Sequence, residues 1–124
     1  MGSINEQITV NIELIDVTIS LIKLSGEMDA HNAPAVKSQI DTAMSNNGTN
    51  KIIFNLSQVE YIDSTGISLL VSTYKHTSDI GGMMCLLTPS QRVERLLQIS
   101  GLNKYFPVFE LKEDAVAFLT NEDK

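Results

Sequence analysis

The sequence predicts an α/β fold: a mixed sheet of about five strands, opening with an antiparallel hairpin and parallel at its centre, covered by about four helices. Three observations carry this. Apolar and polar residues alternate through Ile8, Val10, Ile12 and Leu14, the period of a strand with one buried face. The run Lys51-Ile52-Ile53-Phe54-Asn55-Leu56 is nearly continuous in apolar character, as in a strand covered on both sides. Strand-like and helix-like segments then alternate three times, an order that requires right-handed crossovers and parallel pairing.

The alternation resumes at Val17, Ile19 and Leu21 after a short link at Ile15-Asp16, which predicts a hairpin. Beyond Leu21 the apolar positions fall at Ile22 and Leu24, so this second strand carries a bulge or is covered on both faces. Ser25-Gly26-Glu27-Met28-Asp29-Ala30-His31-Asn32 reads as a break. Asn32, with Pro34 just inside, marks a helix start. That helix is expected to bury Val36, Ile40 and Ala43 or Met44, and to end in Asn46-Asn47-Gly48. Strand 51–56 follows. Ile67, Leu70, Val71 and Tyr74 recur at helical spacing, so a helix beginning at Ile67 presents one stripe to the core. Gly81-Gly82 stops it and 83–87 form the next strand. Thr88-Pro89-Ser90-Gln91 has the form of a capping box with proline at the first helical position. Val93, Leu96 and Leu97 give the following helix its apolar face, and Gly101 closes it. Pro107-Val108-Phe109 makes a short last strand, and 112–120 a terminal helix burying Val116 and Leu119.

The 124 residues, of balanced composition, fit one compact domain, 1–124, with its core at about 8–120. Fifteen acidic against nine basic side chains give a net charge of −6. Duplex nucleic acid and anionic membranes would repel such a chain, so neither is expected as a direct partner. A monomer is expected. The single cysteine, Cys85, lies in Met83-Met84-Cys85-Leu86-Leu87, where a buried, inert thiol is the natural state and no intramolecular disulfide can form. Met1-Gly2-Ser3-Ile4-Asn5-Glu6 has neither the pattern of a signal peptide nor that of a myristoylation site, and no apolar stretch reaches bilayer-spanning length. A cytoplasmic protein is expected.

Asp63-Ser64-Thr65-Gly66 stands between the apolar strand and the amphipathic helix. Asp and Ser cap helices and Gly eases a turn, so the four residues read on their own as turn chemistry. A serine at such a helix mouth also lies where free backbone N–H groups and the helix dipole favour a phosphate.

With its motifs in place, the chain resembles the anti-sigma-factor antagonists of the STAS domain family. Leu24-Ser25-Gly26-Glu27-Met28-Asp29 resembles the family's Leu-x-Gly-Glu-Leu-Asp, Asp63-Ser64-Thr65-Gly66-Ile67 its Asp-Ser-Ser/Thr-Gly-Leu/Ile, and Ser100-Gly101-Leu102 a later Ser-Gly-Leu. Each motif is short; their order and spacing over roughly residues 8 to 120 carry the likeness. The resemblance implies a STAS-like sheet and a bacterial partner switch. In it the unphosphorylated protein binds an anti-sigma factor that is also a serine kinase, and so frees a sigma factor. Phosphorylation of Ser64 ends that binding and a phosphatase restores it. Asp63, Thr65 and Gly66 form the switch loop, with Gly66 expected to leave room for the approaching partner. Exposed residues of the neighbouring loop, Asp29, His31 and Asn32, together with Ile67, are expected to make contact. The kinase brings ATP and Mg²⁺, so the chain itself needs no cofactor and no metal.

Other chemistry fits less well. A hydrolase would need Ser64 as nucleophile, His31 as base and Asp29 as orienter, without a Gly-x-Ser-x-Gly elbow. A phosphoryl-accepting Asp63 would need a second acidic cluster for Mg²⁺, and Asp16 falls in the hairpin turn. His31 and His76 are isolated and make no metal site. The remaining alternative is a non-switching STAS module of a larger signalling or transporter-associated assembly, with Ser64 unmodified or Thr65 modified in its place.

Overall fold

The computed structural model describes the backbone of residues 2–5 and all of 7–120, so the readings made of Met1, Glu6 and the last four residues lie outside the described residues. Six strands pair in chain order: β1 (Gly2–Asn5), β2 (Ile8–Leu14), β3 (Ile19–Met28), β4 (Lys51–Ile62), β5 (Met83–Leu87) and β6 (Val108–Phe109). β2 pairs antiparallel with both β1 and β3, and β3 to β6 pair in parallel. Strand β1 adds to the five that the sequence predicts. The helices are α1 (Ala33–Asn47), α2 (Ser64–Asp79), α3 (Gln91–Ser100) and α4 (Lys112–Thr120), with a 3-10 turn at Leu102–Lys104. Among the described residues no helix is long and apolar enough to cross a membrane.

Side-chain alternation divides the core between the two faces of the sheet. Ile22, Leu24, Ile52, Phe54, Met84 and Leu86 point to the face covered by α1, α2 and α3. Ile19, Leu21, Ile53, Cys85 and Leu87 point to the other, where α4 brings Ala115 and Leu119. The shift of apolar positions after Leu21 therefore reflects burial of both faces of β3. Bulges come later in that strand, where its register against β4 shifts at Lys23/Ser25 and at Gly26/Glu27.

Two strands run longer than predicted. Residues 25–28, read as a break, continue β3, and 57–62 continue β4 beyond Leu56, with Gly26 opposite Val59 and Met28 opposite Ile62. Helix α2 begins three residues before Ile67, and its fully buried residues are Gly66, Leu69, Leu70, Thr73 and Thr77. Ile67, Val71 and Tyr74 pack at the margin of the core. At α3 the cap is Ser90, whose hydroxyl accepts from the Val93 amide at 3.4 Å, and Pro89 precedes the cap instead of opening the helix. In α4, Ala115 shares the buried face with Leu119, and Val116 lies half-buried.

Burial pushes the Cys85 thiol from 9.0 up to about 12. A thiol reagent at neutral pH is expected to modify Cys85 only as fast as the domain unfolds, with full modification in denaturant. The unfolded chain ionises its thiol near 9.0 and the folded one near 12. This contribution to stability is therefore whole below pH 9 and is lost as the pH rises through that interval. Labelling rates with and without denaturant check the expectation.

Candidate functional site

The parallel strands β3 and β4 end side by side, and the loops leaving them form one corner of the molecule. The Asp63 amide donates to the Met28 carbonyl at 3.3 Å, joining the two exits. Asp63 is extended, with φ −105° and ψ −171°, and caps α2. Its Oδ1 accepts from the amides of Thr65 at 2.9 Å and Gly66 at 3.1 Å. Its carbonyl accepts from the Ile67 amide. Of the amides that a helix start leaves open, Asp63 thus satisfies two, and that of Ser64 has no partner among the described residues. The sequence-based picture of several free amides around the serine is corrected accordingly: the carboxylate already occupies the helix mouth. Ser64 is exposed, Thr65 and Ile67 are half-buried, and Gly66 is buried.

Across the corner, residues 29–32 close on themselves. Asn32 Oδ1 accepts from the Asp29 amide at 3.0 Å, and Asn32 Nδ2 donates to the Glu27 carbonyl at 2.9 Å. Asp29 Oδ1 accepts from the His31 amide at 2.9 Å and lies 3.6 Å from His31 Nδ1. Asn32 is fully buried, so its expected role as a contact residue is corrected to that of a brace for the loop. It precedes α1 without capping it through its side chain, since both polar atoms are engaged elsewhere. The His31 side chain is 89% exposed, and that of Asp29 is partly covered.

Ser64 makes no hydrogen bond to His31 among the described residues, so no nucleophile–base pair is assembled. Asp16 lies at the opposite end of β3 from this corner, roughly 30 Å away along the strand. The Thr18 amide above all holds its carboxyl below the ordinary value; desolvation opposes it, and the Thr18 hydroxyl, the Ile19 amide and the charge of Lys51 add to the lowering. Asp16 and Asp63 therefore cannot share a metal ion.

Gly66 faces inward. A Cβ there would collide with Ile62 Cγ1, come within 2.9 Å of Ile62 Cδ1 and lie 3.2 Å from Met28 Cε. The glycine lets α2 close onto the ends of β3 and β4, in place of the expected clearance for a partner. Gly66→Ala gains about 1 kcal/mol of helix propensity and loses about 1–3 kcal/mol to overpacking. A lower melting temperature for Gly66→Ala and a much lower one for Gly66→Val are expected in thermal unfolding.

Sequence reasoning missed a groove next to this corner, lined by Tyr61, Ile62, Asp63, Arg92, Arg95, Leu96 and Ile99, with a volume of about 400 Å³. The spacing of Arg92, Arg95 and Ile99 along one helical stripe could have pointed to it.

Residues 9–115 match the STAS domain family, and the chain belongs to it. It is 31% identical over 101 residues to the anti-sigma F factor antagonist of Paenibacillus polymyxa, covering 82% of this chain and 86% of that one. To the anti-sigma-B factor antagonist of Staphylococcus aureus it is 36% identical over 89 residues, covering 72% and 82%. The solved anti-sigma factor antagonist SpoIIAA, unphosphorylated, superposes with a TM-score of 0.76 at 27% identity, over 87% of this chain and 93% of that one. The phosphorylated form of the Bacillus cell fate determinant SpoIIAA gives 0.71 at 26%, over 88% and 97%.

Proposed function

We propose that this chain is an anti-sigma-factor antagonist that works by partner switching. Unphosphorylated, it binds an anti-sigma factor that is also a serine kinase, and a sigma factor is released. Phosphate on Ser64 ends the binding, and a phosphatase resets it. The relatives named above are anti-sigma factor antagonists, and SpoIIAA has been solved in an unphosphorylated and a phosphorylated form, which supports this reading. The observation that carries the reading to a residue is Ser64, exposed on the first turn of α2, whose backbone is held by the Asp63 cap.

Phosphoryl transfer asks little of the acceptor beyond position, because ATP, Mg²⁺ and the charge-stabilising groups come with the kinase. The Asp63 cap and the Met28 hydrogen bond hold the hydroxyl on a fixed backbone at the rim. His31, Asp29 and Ile67 are the neighbouring side chains that a docked kinase would meet. Action in the cytoplasm follows, since that is where sigma factors work.

The test is to incubate the purified protein with a purified candidate anti-sigma factor, ATP and Mg²⁺, and to follow intact mass with site mapping. One phosphate on Ser64 is expected. Ser64→Ala should take up none while still binding. Phosphate mapped to Thr65, or undiminished labelling of Ser64→Ala, overturns the assignment.

A further inference from the structure

We propose that the groove between the end of β4 and α3 docks an acidic segment of the partner protein. A carboxylate of that segment pairs with Arg92 and Arg95, and an adjoining apolar side chain lies on Ile99 and Tyr61. The identity of the partner rests on the function proposed above.

Both arginines are exposed, and neither makes an ion pair or hydrogen bond among the described residues. They are the two arginines of a chain with fifteen acidic and nine basic residues. The acidic groups facing them are Asp63, which shares the groove, and Glu60, which shares an adjoining polar groove with both arginines. Asp63 is engaged by the Thr65 and Gly66 amides. Glu60 is exposed and has no ion pair among the described residues.

The apolar component is equally local. Ile99 is 76% exposed and Tyr61 44%, and Leu96 lies half-buried between the helix and the core. An exposed isoleucine and tyrosine flanking two free guanidinium groups suit a segment that mixes a carboxylate with an apolar residue. On a surface of net charge −6, such a segment is steered to this groove in preference to others. Asp63 belongs both to the groove and to the switch loop, so a partner seated over Ser64 reaches the groove without a second point of attachment.

Association and dissociation rates would be measured with the purified anti-sigma factor for the wild type, for Arg92→Glu/Arg95→Glu and for Ile99→Ser, at low and moderate salt. All three residues are exposed, and unchanged melting curves confirm that the variants fold. The double reversal is expected to slow association about tenfold and to remove most of its salt dependence. Ile99→Ser is expected to speed dissociation about fivefold. If the wild type binds and the double variant keeps wild-type rates and salt dependence, the groove inference falls and the proposed function stands. If the wild type neither binds nor is phosphorylated, both fall. If sedimentation shows that the wild type alone dimerises and that Arg92→Glu/Arg95→Glu abolishes the dimer, the occupant is a second copy and the inference is overturned.

Discussion

Phosphate on Ser64 is expected to lower affinity for the anti-sigma factor by about a thousandfold, roughly 4 kcal/mol. It adds about −1.5 to −2 charges at neutral pH. A helix start could absorb such a group through its open amides, but here the amides of Thr65 and Gly66 are already bonded to Asp63. The phosphate must therefore stay at the surface, beside a carboxylate, where water solvates it in the free protein. Binding would strip that water and supply no compensating donors, at a penalty of the size stated. The unmodified hydroxyl has no such penalty, because it can donate or accept against whatever covers it. Titration calorimetry with protein phosphorylated at Ser64 measures the loss directly. Ser64→Glu should reproduce part of it, having less charge and a shorter reach. Wild-type affinity in both would show that charge at this corner does not govern binding.

Gly26→Ala is expected to cost more stability than either Gly66→Ala or Gly101→Ala, about 4 kcal/mol, lowering the melting temperature by about 15 °C. Gly26 has φ +109°, a conformation that residues with a Cβ rarely adopt. The added Cβ would also drive into the Gln7 carbonyl oxygen, which cannot retreat easily because it accepts the Glu27 amide at 2.7 Å. Gly101 provides the control. It too has positive φ, at +77°, but nothing lies within 4 Å of the place a Cβ would take. Gly101→Ala should cost only about 1 kcal/mol. Thermal unfolding of the two variants side by side separates collision from backbone strain, and equal melting temperatures would show that the Gln7 carbonyl gives way at little cost.

The strand and helix order, the hairpin and the fully buried strands were legible because their apolar periods are clean. The second half of β4 was not. Its buried residues are Leu56, Val59 and Ile62, every third position, because the register shifts against β3 break the two-residue period. The start of α2 was hidden for a related reason: Ser64, Thr65 and Gly66 have weak helix propensity, and what holds them helical is the Asp63 cap and the contact of Gly66 with Ile62. The serine itself could be read from its neighbours. Which face Gly66 turns, and where Asn32 directs its amide, depend on strands that meet only in the fold.

The hydrogen bond from the Asp63 amide to the Met28 carbonyl has a bearing on how the protein is counted by the cell. It ties Asp63, the residue just before the serine, to one 35 positions earlier in the chain. No short peptide can reproduce that geometry. A synthetic peptide spanning residues 58–70 is therefore expected to be a far poorer kinase substrate than the intact domain, and equal turnover of the two would show that local sequence suffices. Under the proposed function, copies that have lost their fold, whether through heat or incomplete synthesis, would drop out of the regulatory inventory: they would neither titrate the anti-sigma factor nor consume its ATP. The dose that such a circuit would sense is the number of correctly folded molecules.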